Sequence, residues 1–159
     1  MNINESLPSV GLVGRSGKEI ARVFLRMAGG KASCYHITDR QIKGPPVNVL
    51  VAAEASPVLA NIVPKLGRND YLIVNSDDKD IFPLLSQSKA TLVTYGFNGK
   101  ACITASSVTE DALQVCIQRA FQSMDGEEKL PQEFQAKVRT QENSDSVLAA
   151  AAAFAVCGI

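Results

Sequence analysis

The stretch Val10-Gly11-Leu12-Val13-Gly14-Arg15-Ser16-Gly17-Lys18-Glu19 decides how the rest of the chain is read. An apolar run ends in a glycine-rich turn, and the turn feeds Ile20, Val23, Phe24 and Met27 at three- and four-residue spacing. This is the pattern of a buried strand, a tight loop and a helix with one face against a sheet. Backbone N–H groups at such a helix start point outward and the helix dipole favours an anion, so a phosphate is the natural ligand. Gly14 and Gly17 permit the tight backbone, Ser16 lies between them, and Lys18 has the reach for a β- or γ-phosphate. Where such loops place the Ser or Thr whose hydroxyl binds Mg²⁺, this chain has Glu19.

Glu19 opens a second reading of the loop. Ser16-x-x-Glu19 ahead of an apolar periodic run has the form of a capping box, in which Ser16 accepts from the Glu19 N–H and the Glu19 carboxylate accepts from the Ser16 N–H. Those bonds consume donors that a phosphate would use, and the carboxylate itself satisfies the dipole. At an effective dielectric of about 20, two like unit charges ~4 Å apart oppose each other by ~4 kcal/mol, nearly three decades of affinity. On these magnitudes the helix start is self-capped.

Working outward, Gly29-Gly30 closes the helix where a left-handed cap is wanted. Ala32 to Ile37 reads as a strand, and Gly44-Pro45-Pro46 belongs to a loop too stiff and donor-poor for a helix or central strand. Val47 to Ala53 is the near-continuous apolar run of a strand buried on both faces. Ser56-Pro57 starts a helix, with Val58, Leu59, Ile62, Val63 and Leu66 as its apolar face and Gly67 as its end. Tyr71 to Val74, a short helix around Ile81 to Ser88, and Thr91 to Tyr95 continue the alternation. Strand and helix in this rhythm predict an α/β fold, a mostly parallel sheet with helices on both faces. After Gly96 the rhythm changes. Ala101 to Ala105 and Leu113 to Gln118 read as strands, and Phe134 to Val138 pairs with the latter across a turn containing Asp125-Gly126, forming a small antiparallel region at one side. Ser146 to Ile159 is alanine-rich and apolar all round, so as a helix it needs cover on more than one side.

The 159 residues are expected to form one domain, 1–159, large enough to bury a core. Sixteen basic side chains balance sixteen acidic ones, which leaves no electrostatic footprint for nucleic acid or a membrane surface. Cys34, Cys102, Cys116 and Cys157 are scattered, with no C-x-x-C and a single histidine, His36, so a zinc site is not expected. Reduced thiols, a polar amino terminus and apolar runs shorter than the ~20 residues of a membrane span point to a cytoplasmic protein.

Four stretches together resemble the central ATPase domain of the Mur ligase family. Gly14-Arg15-Ser16-Gly17-Lys18 is similar to its G-x-x-G-K phosphate loop. Asn75-Ser76-Asp77-Asp78 resembles its N-A-D-D segment after a strand, and Thr94-Tyr95-Gly96-Phe97 its T-Y-G-F. Asn143 through Ile159 resembles the H-N-x-x-N segment and alanine-rich helix ending in Gly-Ile. The resemblance implies a P-loop-like fold and, as cofactors, ATP and Mg²⁺ used to activate a carboxylate as an acyl phosphate before amide formation. It also implies a nucleotide-binding set of Gly14, Ser16, Gly17, Lys18, Asn75, Asp77 and Asp78, with Glu54 as the match to a metal-binding glutamate. The departures are as specific as the matches. Glu19 replaces the magnesium-binding residue, and the span from Val51 to Asn75 has no room for the family's insertion with its metal-binding histidine and carbamylated lysine. Glu142 stands where the H-N histidine would be, and Ser146 replaces the second asparagine. The family's flanking substrate domains have no counterpart in this chain.

Each candidate has a structural role beside the functional one. Glu54 would pair with a cation, Lys18 being the candidate, or hold a metal. Asp77-Asp78 would cap a short helix or receive a ribose. Tyr95 would pack or stack on adenine, Asn143 would form a turn, and His36 would be a half-buried strand residue. The favoured function is a Mur-ligase-like protein without ligase activity, binding or assembling as a homo-oligomer or with a protein partner. An uncovered face on the apolar final helix is the reason for expecting a homodimer. The alternative is an ATP-binding enzyme, or one part of a split ATP-dependent amide ligase.

Overall fold

A computed structural model describes residues 7–38 and 47–159; the Gly44-Pro45-Pro46 loop and the first six residues lie outside it. β1 (Ser9–Val13) leads through the glycine turn into α1 (Gly17–Ala28), which buries Ile20, Val23, Phe24 and Ala28 and ends on Gly29 at φ 58°. β2 (Ser33–His36) and β3 (Val49–Ala52) follow. α2 (Pro57–Ile62) starts as its sequence predicts, with the Ser56 hydroxyl accepting from Val58 N–H and Pro57 in the first turn. A 3₁₀ turn (Val63–Lys65) then leads to β4 (Tyr71–Asn75). The helix expected around Ile81 to Ser88 is instead a 3₁₀ segment over Lys79–Leu85, capped by Asp78 and containing Pro83, whose missing N–H disfavours an α-helix. β5 (Thr91–Tyr95), β6 (Ile103–Val108), β7 (Ala112–Ile117), the two-residue β8 (Phe121–Gln122) and β9 (Glu128–Lys129), β10 (Gln132–Lys137) and α3 (Ser144–Cys157) complete the chain.

Among the described residues eight strands form one sheet in the order β10-β7-β6-β5-β4-β3-β1-β2, and β8 pairs with β9 separately. Every pair from β2 to β6 is parallel, whereas β6–β7 and β7–β10 are antiparallel. β6 pairs parallel to β5 by stepping sideways where β5 ends, with Tyr95 opposite Ile103. The antiparallel region begins after Gly96, as the break in rhythm suggests, and β6 is the strand that joins it to the parallel part. α1 and α3 cover one face of the sheet. α2 and the 3₁₀ segments cover the other only around β1, β3 and β4. Beyond β4 that second face carries Leu92, 49% exposed, and polar Ser107, Gln114 and Gln135.

α3 is enclosed by its own chain. Residues Ser146 to Ala153 and Ala155 to Cys157 are all buried, packed against α1, the sheet from β3 to β7, and β10. Met124 N–H donates to Val156 O (2.9 Å), which ties the β8–β9 turn to the helix C-terminus. The alanines let the helix lie close between these layers. A second copy is therefore not required to cover it, and the argument for a homodimer from an uncovered face fails. Ala151→Leu is expected to overpack this seat and cost about 1–3 kcal/mol, read by urea unfolding; an unchanged midpoint would mean that space remains beside the helix. All four cysteines are free. Burial pushes the Cys34 thiol up to about 11 and the Cys157 thiol up to about 12. Both are thus expected to resist alkylation by iodoacetamide at neutral pH in the folded protein and to react once urea unfolds it.

Candidate functional site

The loop between β1 and α1 sits at the carboxyl ends of the parallel strands, where open α/β sheets hold ligands. Gly14 adopts φ 130°, a conformation that favours glycine, and Gly17 N–H donates to Gly14 O (3.1 Å) to close the turn. His36 acts as a strut under it. Its Nε2 donates to Gly14 O (3.0 Å), and its ring lies where a side chain on Gly17 would be, closer than the Cβ of an alanine could approach it. Gly17 is thus required by contact rather than by dihedral angle.

The capping box between Ser16 and Glu19 does not form. Ser16 sits at φ −82°, ψ 5°, outside the extended region a capping residue needs, and its side chain makes no capping bond. Glu19 does not reach back to Ser16. Its Oε1 accepts from Asn143 N–H (3.0 Å), placing a carboxylate at the start of α3, and Arg22 lies 3.9 Å from its other oxygen. The carboxylate that does enter the glycine loop belongs to Glu54, just after β3. Its Oε1 accepts from Arg15 N–H, and its side chain lies against Gly14. Among the described residues Glu54 makes no ion pair with Lys18, whose side chain is exposed.

The Asn75–Asp78 segment bonds to neighbouring loops. Asn75 donates to Ala53 O (3.0 Å) and accepts from Asp77 N–H (3.0 Å). Asp77 accepts from the backbone N–H groups of Phe97 (2.8 Å) and Asn98 (3.1 Å) and from the Asn98 side chain (2.7 Å), gripping the β5–β6 turn. Asp78 accepts from Ala55 N–H (2.9 Å) and Asp80 N–H (3.1 Å), so it caps the 3₁₀ segment and fixes the loop after β3. Asn143 is the residue before α3, as its turn-forming role requires, with no side-chain capping bond. Glu142 is buried in a bidentate pair with Arg26 of α1, at 2.7 and 2.9 Å.

These elements bring Ser16, Glu54, Asn75, Tyr95, Asp145 and Ser146 around a cavity of about 110 Å³ between the first turns of α1 and α3. The Ser146 hydroxyl, 1% exposed, has no hydrogen-bond partner there among the described residues. Burial, and then the carboxylates of Asp145, Asp77 and Glu54, push the Tyr95 phenol well above its ordinary range, so it stays protonated. Asp77, Asp78 and Lys18 do not line this cavity. Asp145 lines it although no motif marks it, and the convergence of the two helix starts is a property of the fold that no local pattern announces. A broader groove of about 900 Å³ beside Thr109, Glu110, Asp111, Lys137, Arg139 and Gln141 shares no residue with the loop. Among the described residues no three His, Cys, Asp or Glu side chains gather as a metal would require, and no helix is long and apolar enough to cross a membrane.

No family model matches the sequence, and no curated protein matches it either. Solved structures do match. The murein peptide ligase Mpl from Psychrobacter arcticus 273-4 superposes with a TM-score of 0.65 at 8% identity, over 98% of this chain and 45% of that one. The UDP-N-acetylmuramoylalanyl-D-glutamyl-2,6-diaminopimelate–D-alanyl-D-alanyl ligase from Acinetobacter baumannii gives 0.66 at 11%, over 98% and 44%. The MurF ligase from Thermotoga maritima, solved with ADP, gives 0.58 at 12%, over 94% and 44%. The chain thus spans less than half the length of these ligases, and over that span it has a Mur-ligase-like fold.

Proposed function

We propose that this chain is a Mur-ligase-like binding or assembly protein without ligase activity, its phosphate loop closed by its own Glu54. The observation that carries this reading is the bond from Arg15 N–H to the Glu54 carboxylate, which fills with an internal anion the place a phosphate oxygen would take. The other parts agree. Glu19 replaces the hydroxyl residue that would meet magnesium and is engaged by Asn143 N–H. The neighbouring cavity of about 110 Å³ has room for a few waters. With Glu54 on Arg15 N–H and Glu19 in place of the hydroxyl residue, the residues present do not fit a magnesium nucleotide. Titration calorimetry with Mg-ATP is expected to be silent at millimolar ligand; submicromolar binding would overturn the proposal.

One observation favours a second reading, an ATP-binding enzyme or part of a split amide ligase. The strand–loop–helix geometry is intact, with Gly14 at φ 130° and Gly17 packed on His36, so displacement of a single side chain would free Arg15 N–H. The same titration separates the two.

A further inference from the structure

Among the described residues the eight-stranded sheet ends in two edges, β2 and β10. β2 is four residues long, and β10 is six. β10 contains no proline, and its ladder to β7 runs without the register shift that interrupts β6–β7 between Ala105 and Ser107. Of the devices that blunt an edge against pairing, β10 lacks shortness, proline and a bulge, and carries the charges of Glu133 and Lys137. The phase of the strand follows from Val138 N–H, which donates to Asp111 O (2.8 Å). With Lys137 opposite Ala112, the backbone of Gln132, Phe134 and Ala136 bonds to β7, and the backbone of Glu133, Gln135 and Lys137 faces outward. Their side chains are exposed. Among the described residues, the contact to these outward groups is Arg26 Nη2 donating to Lys137 O (3.3 Å), and that carbonyl keeps a second lone pair.

We propose that this edge is self-complementary: two copies of the chain pair β10 against β10, antiparallel, about a two-fold axis through Gln135. With Gln135 opposite itself, Glu133 faces Lys137 of the second copy and Lys137 faces its Glu133. Sliding the strands by one outward pair one way puts Glu133 opposite Gln135 and loses both charge pairs; sliding the other way puts Gln135 opposite Lys137 and leaves Glu133 only Arg139, beyond the end of β10. Residues directly opposite in such a ladder lie ~5.5 Å apart at Cα, within reach of a glutamate and a lysine, and opposite charges there stabilise while like charges destabilise. Half-buried Phe134 meets Ala136 of the second copy on the α3 side. The chain carries no net charge, so two copies do not repel at a distance. A contact of this kind closes on itself as a dimer and leaves β2 out of the pairing. It gives the assembly part of the proposed function a surface and does not depend on the closed loop.

Sedimentation of the whole protein over a concentration series tests the pairing, and a reversible monomer–dimer equilibrium is expected. Glu133→Lys or Lys137→Glu turns two attractive cross-strand pairs into repulsive ones and should weaken dimerisation at least ~tenfold. The double exchange, E133K with K137E, should restore it. Gln135→Pro removes an outward N–H that β7 does not use, so it should yield a monomer with an unchanged far-ultraviolet spectrum. A monomer at every concentration overturns the proposal. So does a dimer indifferent to the single reversals, which would place assembly on another surface, and so does a double exchange as weak as the singles. Binding of Mg-ATP would remove the closed-loop reading and leave these outcomes unchanged.

Discussion

Glu142→Ala should lower stability by about 2–3 kcal/mol at neutral pH, and the deficit should shrink in acid. The Glu142 side chain is 6% exposed and its partner Arg26 20% exposed. The pair is bidentate, and Arg139 N–H adds a third bond to the carboxylate at 2.7 Å. Removing the carboxylate leaves a guanidinium between α1 and the loop before α3 with one backbone carbonyl for company. The Arg26 hydrogen bonds hold the Glu142 carboxyl at about 2, below its ordinary 4.5. A carboxyl depressed on folding contributes stability that is fully present above its unfolded value, and the contribution is lost as pH falls from the ordinary value toward the folded one. The full shift corresponds to ~3 kcal/mol, and residual solvent access trims it toward ~2. Urea unfolding of both proteins at neutral pH and at about pH 3 reads this directly. Equal deficits at the two pH values would show that the ion pair is not their source.

Glu54→Ala should give the loop an affinity for inorganic phosphate or sulfate at least ~tenfold above that of the parent, because the competing anion and its repulsion are gone. Arg15 N–H and the start of α1 would then be open to an external oxygen. Glu19→Thr should give no such gain, although it places a hydroxyl where phosphate loops carry one. Its carboxylate lies with α3, so its loss should appear as ~1 kcal/mol of stability instead. Thermal shifts against sulfate at constant ionic strength distinguish the two variants. A folded Glu54→Ala that binds no better than the parent, or a Glu19→Thr that does, would end the closed-loop account.

Most of the fold could be read before any coordinates because its signals are local. Ser56-Pro57 starts α2 and Gly29 ends α1 through bonds within a few residues. The all-apolar run around Val49–Ala52 marks a strand with both faces covered. The pairing of Phe134 with the Leu113–Gln118 strand follows from two short runs and a turn. The site was harder to read because its bonds are distant. Glu19 and Asn143 are separated by 124 residues, Arg15 and Glu54 by 39, and Asp77 and Phe97 by 20. A capping box was the reasonable local expectation at Ser16, but the turn closed by Gly14 holds Ser16 near ψ 5° and denies it the extended backbone that capping needs. Covering α3 was likewise a question of topology. The sequence asked for cover on several sides, and the fold supplies it from α1, the β8–β9 turn and the sheet rather than from a second chain.

The enclosure of α3 also bears on how the protein acquires its structure. The helix touches β3 to β7 and β10, yet it is made after all of them. Synthesis from the ribosome therefore delivers β1 to β10 with the middle of the core vacant, and contacts of long sequence separation form last and slowly. Until α3 emerges, the apolar face meant for its alanines stands open to other nascent chains, which makes the interval before its arrival the moment when a chaperone matters most.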